Sequence, residues 1–171
     1  NPWMTLTPAL ERTGAASRIN YTLNDYATAF VHTTYRNIKT HQEMAPTPAF
    51  YYNIPATNPF NPFDEEVAMH HRLIEVGPRI SDISSDIFRV LPGVKFDIGD
   101  SWQAEAAFLY NKVETVNFGS NYVSADALNE ALASSDPAIA YNPFGAGLGI
   151  NSPSVLDGLR VNTVRRAQSE L

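Results

Sequence analysis

The sequence contains no cysteine, so disulfides, thiolate metal sites and cysteine nucleophiles are excluded. It also lacks any apolar run of roughly 18 residues, which excludes a transmembrane helix. Charged residues make up only 18% of the chain, against 44% hydrophobic residues, and a soluble surface usually carries more charge. The net charge of −6 argues against a nucleic-acid-binding surface. Membrane-spanning strands stay possible, because their alternating residues average out in hydropathy.

The stretch VKFDIGDSWQAEAAFLY (residues 94–110) alternates between apolar and polar side chains. With a tight turn at residues 99–101, the hydrophobic Phe96 opposes Ala104, and Lys95 opposes Glu105 on the other face. Directly opposed residues share a sheet face, so this register makes one face apolar and the other polar. A shift by one residue would mix the faces. The pattern therefore predicts a β-hairpin in this register.

An earlier stretch, RINYTLNDYATAFVH, supports the same interpretation with a tight turn at residues 24–26. The apolar face then pairs residues across the turn, Tyr21 with Ala29 and Ile19 with Val31. The other face collects the polar side chains of the two strands. Two independent hairpins therefore share one design, with an apolar face and a polar face.

Two long segments separate the predicted strands. Residues 41–82 are rich in proline and aromatic residues and show no sustained period, so we expect a long loop there. A second loop, at about 118–158, contains one short helical segment, SADALNEALASS, with Ser124 as its N-cap. The final sequence LRVNTVRRAQSEL alternates again as a strand. Tight and long connections therefore alternate along the chain.

This loop pattern distinguishes two classes of β protein. Loops of roughly 40 residues with little secondary structure are uncommon in soluble domains, whereas outer-membrane barrels have short periplasmic turns and long extracellular loops. From Trp102 to Tyr110 a tilted strand spans about 20 Å, close to the ~25 Å apolar band of such barrels. We therefore predict an all-β fold, with antiparallel strands of a transmembrane β-barrel, about five strands of a partial barrel, long extracellular loops and a short loop helix. A soluble β-rich domain is the alternative.

Six segments together resemble the barrel of TonB-dependent receptors. They are ERTGAASRINYTLND, TYRNIKT, IPATNPFNPF, RVLPGVKFDIGDSWQAEAAFLYNKVET, NYVSADALNEAL and AYNPFG, and they run in order over essentially the whole chain. The likeness is strongest to the large proteobacterial type whose loops carry repeated Asn-Pro-Phe/Tyr motifs. One departure is that Asp64, Glu65 and Glu66 follow the first copies, where relatives tend to have glycine. The role of these acids stays open.

The resemblance implies a gated importer in the bacterial outer membrane. In this family a 22-stranded barrel surrounds an N-terminal plug domain, and the inner-membrane TonB complex supplies energy. Ligands include ferric siderophores, haem, cobalamin and oligosaccharides. No plug is recognisable here, so we expect residues 1–171 to be a partial barrel domain of a longer protein. Expected partners are outer-membrane lipid, the plug and TonB complex of the full-length parent, and a small-molecule or oligosaccharide ligand.

The hairpin registers assign side chains to two environments. We predict that the following residues face lipid: Ile19, Tyr21, Val31, Phe88, Val94, Phe96, Trp102, Phe108 and Tyr110. We predict that the following residues face the lumen: Arg18, His32, Arg36, Arg89, Lys95 and Glu105. Two interpretations of the lumen-facing charges stay open. They contact the plug, or they form a ladder in which opposite charges neutralise one another.

The loops carry little other chemistry. His70-His71 lacks the HExxH spacing and a third ligand, and Asp64-Glu65-Glu66 lacks the alternating spacing of a calcium loop. We therefore expect no catalytic residue, no metal and no cofactor. Aromatic loop residues are candidate ligand contacts, with mutual packing of the loops as the alternative: Tyr51, Tyr52, Phe60, Phe63, Tyr141 and Phe144. Two further alternatives for the whole chain are a soluble carbohydrate-binding module and a passive porin-type barrel.

Overall fold

The computed structural model describes residues 6–99, 101–145 and 147–171. The fold is all-β and mostly antiparallel, with two short α-helices, which confirms the predicted fold class at this level. The strands are β1 (Ala9–Asn24), β2 (Ala27–Met44), β3 (Pro48–Ile54), β4 (Val67–Arg72), β5 (Arg79–Ile98), β6 (Trp102–Ala107), β7 (Tyr110–Val123) and β8 (Arg160–Glu170). The helices are α1 (Ala125–Ala133) and α2 (Pro153–Leu159), and a 3-10 turn covers Ile74–Val76.

The strands form two sheets. The larger sheet has the order β1-β2-β5-β7-β8, with β6 also paired to β5, and the smaller sheet is the β3–β4 pair. Within the described residues β1 and β8 are the edges of the larger sheet, and no closed barrel is found. None of the described helices is long and apolar enough to cross a membrane.

The predicted register of the second hairpin is confirmed. Phe96 of β5 opposes Ala104 of β6, and Lys95 opposes Glu105. The strict two-residue alternation fixes this register, because any slip would place charges on the apolar face. Asp100, which belongs to the predicted turn, lies outside the described residues.

The turn of the first hairpin lies where it was predicted, near residues 24–26. β1 ends at Asn24 and β2 begins at Ala27, so the turn consists of Asp25 and Tyr26. The backbone N–H of Tyr26 donates to Oδ1 of Asn24 at 2.9 Å. This side-chain bond stabilises the turn.

Pro92 explains why β6 and β7 are two strands. The N–H of Phe108 donates to the carbonyl of Pro92 at 2.9 Å, but proline has no N–H with which to return a bond. The ladder is therefore interrupted at Phe108 and Leu109 and resumes at Tyr110.

The strands of the larger sheet run a few residues into both of the long connections expected at about 41–82 and 118–158. Between β2 and β5 the connection covers residues 45–78, and it contains the β3–β4 hairpin. In that hairpin Phe50 pairs with His70 and Tyr52 with Met69, so Tyr51 is an extra, unpaired residue. This bulge breaks the two-residue period from which a strand is recognised.

The second connection covers residues 124–159 rather than 118–158. α1 begins after Ser124 as predicted, and the N–H of Ala127 donates to the Ser124 hydroxyl at 3.3 Å. α2 was not predicted, although Ser152 followed by Pro153 is a typical helix start. α2 has seven residues, too few to show a helical period.

The described chain divides into two compact units. The strand unit comprises residues 9–40, 82–117 and 165–171, and the loop unit comprises residues 41–81, 118–164 and the described part of 1–8. The hydrophobic core belongs to the loop unit and consists of Ala49, Ile54, Met69, Leu73, Val76, Leu128, Leu132, Tyr141, Val155, Leu156 and Leu159. Among the described hydrophobic residues of the strand unit, only Ala27 and Phe30 are buried. The strand unit therefore has almost no core of its own.

Candidate functional site

The predicted lipid-facing residues form an uncovered apolar face on the strand unit. Side-chain exposure reaches 76% for Trp102, 67% for Phe108 and 43% for Phe96. The whole predicted set is exposed or half-buried, and none of its members is buried: Ile19, Tyr21, Val31, Phe88, Val94, Phe96, Trp102, Phe108 and Tyr110. Large apolar side chains in one contiguous exposed patch indicate an apolar partner or solvent.

Away from the turns, the apolar face ends in hydrogen-bonded tyrosines. The Tyr110 ring contacts Phe88, with centroids 6.3 Å apart, and its hydroxyl donates to Glu170 at 2.7 Å. The Tyr35 hydroxyl likewise donates to Oδ1 of Asp86 at 2.7 Å. Such side chains combine an apolar ring with a bound polar tip, the arrangement favoured where an apolar phase meets water. The sequence reasoning missed Tyr35 and Asp86, although alternation from Val31 places Tyr35 on the apolar face.

One charged pair follows Tyr110 on the same side of β7. Lys112 and Glu114 lie two and four residues beyond Tyr110, and their side chains form an ion pair at 3.5 Å. Residues at even spacing along a strand share a face. On this side of β7 the surface therefore changes from apolar to charged within four residues of Tyr110.

The opposite face of the β5–β6 hairpin is polar and pairs its own charges. Lys95 and Glu105 form an ion pair at 3.5 Å, and Gln103 donates to Asp97 at 2.7 Å. For Lys95 and Glu105 this arrangement agrees with the interpretation in which opposite charges on the polar face neutralise one another. Both side chains are about half exposed, so the pair contributes little to stability.

The remaining predicted lumen-facing residues are arranged differently. Arg18, His32 and Arg89 line one depression of about 300 Å³ on the strand unit. Arg36 lies beside Gly14 and does not line that depression. Three of the four residues are therefore brought together.

Phe30 is an aromatic residue on the polar face that the sequence reasoning missed. It is 6% exposed, it contacts the ring of His32 at 5.0 Å, and Nζ of Lys95 lies 5.8 Å from its ring centroid. A Cβ at Gly93 would lie 2.3 Å from Cζ of Phe30. The ring therefore occupies the space that Gly93 leaves open. A glycine inside an alternating strand was the available signal for such a close approach.

The three Asn-Pro-Phe motifs form the same local structure. In each motif the asparagine Oδ1 accepts a hydrogen bond from the phenylalanine N–H, at 2.9 Å from Phe60, 2.9 Å from Phe63 and 3.0 Å from Phe144. Proline between them has no N–H and favours a turn. The motif is therefore a turn module in which the asparagine caps the turn.

The Asn58 side chain also joins distant parts of the loop unit. Nδ2 of the buried Asn58 donates to the carbonyls of Leu132 at 2.9 Å and Tyr141 at 3.3 Å. Because buried carbonyls need donors, this amide holds the two connections together within the unit. Nδ2 of Asn61 makes only a local bond, to the carbonyl of Glu65 at 3.0 Å.

Glu75 is a second link within the loop unit. Its carboxylate accepts hydrogen bonds from the N–H of Ile150 at 2.7 Å and from the Asn151 side chain at 2.5 Å. Burial acts to raise the pKa of Glu75, but the hydrogen bonds from the Asn151 side chain and from the backbone of residues 149–151 outweigh it and hold the pKa below its usual value. Glu75 therefore binds residues 149–151 as a carboxylate.

The predicted ligand-contact residues fall into two groups, and one prediction is corrected. Tyr141 is 1% exposed and belongs to the core, so it is not available to a ligand. Burial, followed by the nearby Glu75 charge, raises the pKa of Tyr141. Tyr52 packs against the same core, and Phe60 is half-buried. Packing is the observed role of these three side chains.

Tyr51, Phe63 and Phe144 remain exposed. The rings of Phe63 and Phe144 meet edge to face at 6.2 Å, so two of the Asn-Pro-Phe motifs contact each other. Tyr51 is 82% exposed and has a φ of 64°, and its ring lies 4.6 Å from that of His70. A bulky residue in the left-handed region is strained. Of the six predicted ligand-contact residues, Tyr51 therefore combines high exposure with a strained backbone.

No metal site is formed by groups of three or more His, Asp or Glu side chains in the described ranges. Comparison of the chain with family models, with curated proteins and with solved structures gives no match.

Proposed function

We propose that this chain is a segment of the barrel of an outer-membrane TonB-dependent receptor, and that it takes part in energy-coupled uptake of a scarce nutrient. The observation that supports the proposal is the uncovered apolar face of the strand unit. Its members alternate with polar residues, its aromatic side chains lie near both ends, and almost no hydrophobic residue of that unit is buried. A soluble sandwich would cover such a face with a second sheet.

The dimensions of the apolar face agree with a bilayer. Trp102 and Tyr110 mark its ends, and eight residue steps span about 26 Å along a strand, or about 20 Å at a barrel tilt. The hydrogen-bonded tyrosine hydroxyls and the Lys112–Glu114 pair would lie at the water interface. In this orientation the polar face lines the barrel interior.

In this function the loop unit captures the ligand on the outer side. Its core, the Asn58 bridge and the Glu75 link make it a preorganised body rather than a set of free loops, which lowers the entropic cost of binding. Movement of the plug, driven by the TonB complex, would then open the lumen. The ligand is a siderophore, haem, cobalamin or an oligosaccharide.

Fractionation of cells that produce the full-length protein tests the proposal. The account expects recovery in the outer-membrane fraction and resistance to alkaline extraction. Recovery in the soluble periplasm would contradict it and favour the soluble carbohydrate-binding module. Ligand uptake that is unaffected by loss of TonB would instead favour the passive porin-type barrel.

A further inference from the structure

Three neighbouring strands place basic side chains around one depression of the strand unit. Arg18 belongs to β1, His32 to β2 and Arg89 to β5, and these strands are adjacent in the sheet. All three residues line the depression of about 300 Å³, which we call the arginine depression. Adjacent strands lie ~4.8 Å apart, so the backbones of Arg18 and Arg89 are about 10 Å apart. Two long side chains can both reach one ligand across this distance.

The charges of the arginine depression are not neutralised. Across the described residues, neither Arg18 nor Arg89 has a hydrogen bond or an ion pair with another side chain. Lys95 on the same face does have an acidic partner, Glu105 at 3.5 Å. The contrast is notable in a chain whose net charge is −6. The two arginines lie on strands separated by β2, and their like charges repel one another across about 10 Å; a bound anion would remove that repulsion.

One further lining residue supplies a neutral donor. Thr34 lies two residues beyond His32 on the same face of β2 and lines the depression with the two arginines. A guanidinium presents a planar fork of N–H donors that matches the oxygens of phosphate and carboxylate, and a hydroxyl adds one further donor. The centroid of the His32 ring lies 5.0 Å from that of Phe30. This contact holds the ring in position, so that its N–H can serve as a further donor.

We propose that the arginine depression binds a small multivalent anion through its phosphate or carboxylate groups. Arg18 and Arg89 bind opposite ends of the anion, and the Thr34 hydroxyl and His32 complete its hydrogen bonds. The inference does not depend on the membrane setting, because the depression lies within the strand unit whichever solvent covers the other face.

Calorimetric titration of the purified full-length protein tests this site. Sodium pyrophosphate and sodium citrate are titrated separately, so that a phosphate preference and a carboxylate preference are distinguished. The double variant R18Q/R89Q is expected to weaken binding of the preferred anion about tenfold or more, because two charge-assisted bonds are lost. Added salt should weaken the wild-type binding as well.

Two controls separate a specific site from general charge. R165Q removes one exposed positive charge outside the depression, and it should leave the affinity unchanged. R18K keeps the charge but loses the fork, and it should fall between wild type and R18Q. Equal weakening by R165Q and R18Q would overturn the proposal. So would a wild type that binds neither anion but binds a polyglutamate peptide, since that result assigns the depression to an acidic polypeptide segment.

Discussion

At the residue scale, neighbouring side chains of one strand lie in different surroundings. Ala106 opposes Val94 on the apolar face, whereas Ala107 opposes Gly93 on the polar face. Both alanines are exposed and lie at the same depth along the strand. They therefore form a matched pair in which only the face differs.

We expect Ala106→Arg to block membrane assembly and Ala107→Arg to be tolerated. A charge on the lipid face near the middle of the bilayer costs ~2–4 kcal/mol, whereas a lumen position accepts it. The measurement is the amount of folded full-length protein in the outer membrane. Equal yields of the two variants would argue against the assigned orientation.

Gly93 and Phe30 form a second residue-scale pair. Gly93→Ala should destabilise the protein by about 1–3 kcal/mol through overpacking, since the new Cβ would lie 2.3 Å from Cζ of Phe30 and 2.8 Å from the carbonyl oxygen of Ala106. Thermal unfolding in detergent measures the loss, and the penalty should be smaller in a Phe30→Ala background. Gly158→Ala is the control, because a Cβ there has no atom within 4 Å. An undiminished penalty in the double variant would assign the strain to the backbone instead.

At the element scale, strands and helices with an unbroken sequence pattern could be predicted, whereas elements with an interrupted or very short pattern could not. The β5–β6 register follows from unbroken alternation, and α1 follows from its Ser124 cap. The β3–β4 hairpin was missed because the Tyr51 bulge shifts the period, and α2 was missed because it is short. The aromatic side chains of the loops could not be sorted into core and surface from sequence, because their burial depends on contacts between distant segments. Tyr141 is the example, since its backbone carbonyl accepts a hydrogen bond from the side chain of Asn58, 83 residues earlier in the chain.

The Asn-Pro-Phe modules predict a specific role for Asn58. Asn58→Ala should destabilise the loop unit by about 1–3 kcal/mol, because the buried carbonyls of Leu132 and Tyr141 lose their donor. Asn53→Ala, at an exposed position of β3, is the control and should have little effect. Limited proteolysis of the loop unit reports both. Equal protease sensitivity of the two variants would refute a bridging role.

The Glu75 link predicts a pH dependence of the loop unit. Its pKa is lowered in the folded state, so the link stabilises above the ordinary value of 4.5 and is lost as pH falls through the lower folded pKa. Hydrogen exchange at residues 149–151 should therefore rise in acid in the wild type. In Glu75→Gln it should already be raised at neutral pH. Glu130→Gln, an exposed carboxylate on α1, should behave as wild type, and an acid response that survives in Glu75→Gln would contradict this assignment.

At the scale of the whole molecule, the two units divide the roles that one soluble domain would combine. The loop unit contains the hydrophobic core, whereas the strand unit exposes its apolar residues. A sheet with an uncovered apolar face is stable in lipid, provided that further strands pair with its edges. The proposed receptor barrel would supply both conditions.

The most direct test is a cysteine scan of residues 103–107 in the full-length protein, since these 171 residues contain no cysteine. Single cysteines carry a fluorescent label in reconstituted vesicles, and a quencher attached to lipid tails reports contact with hydrocarbon. The account predicts strong quenching at positions 104 and 106 and weak quenching at 103, 105 and 107. Uniform quenching, or the opposite alternation, would contradict it.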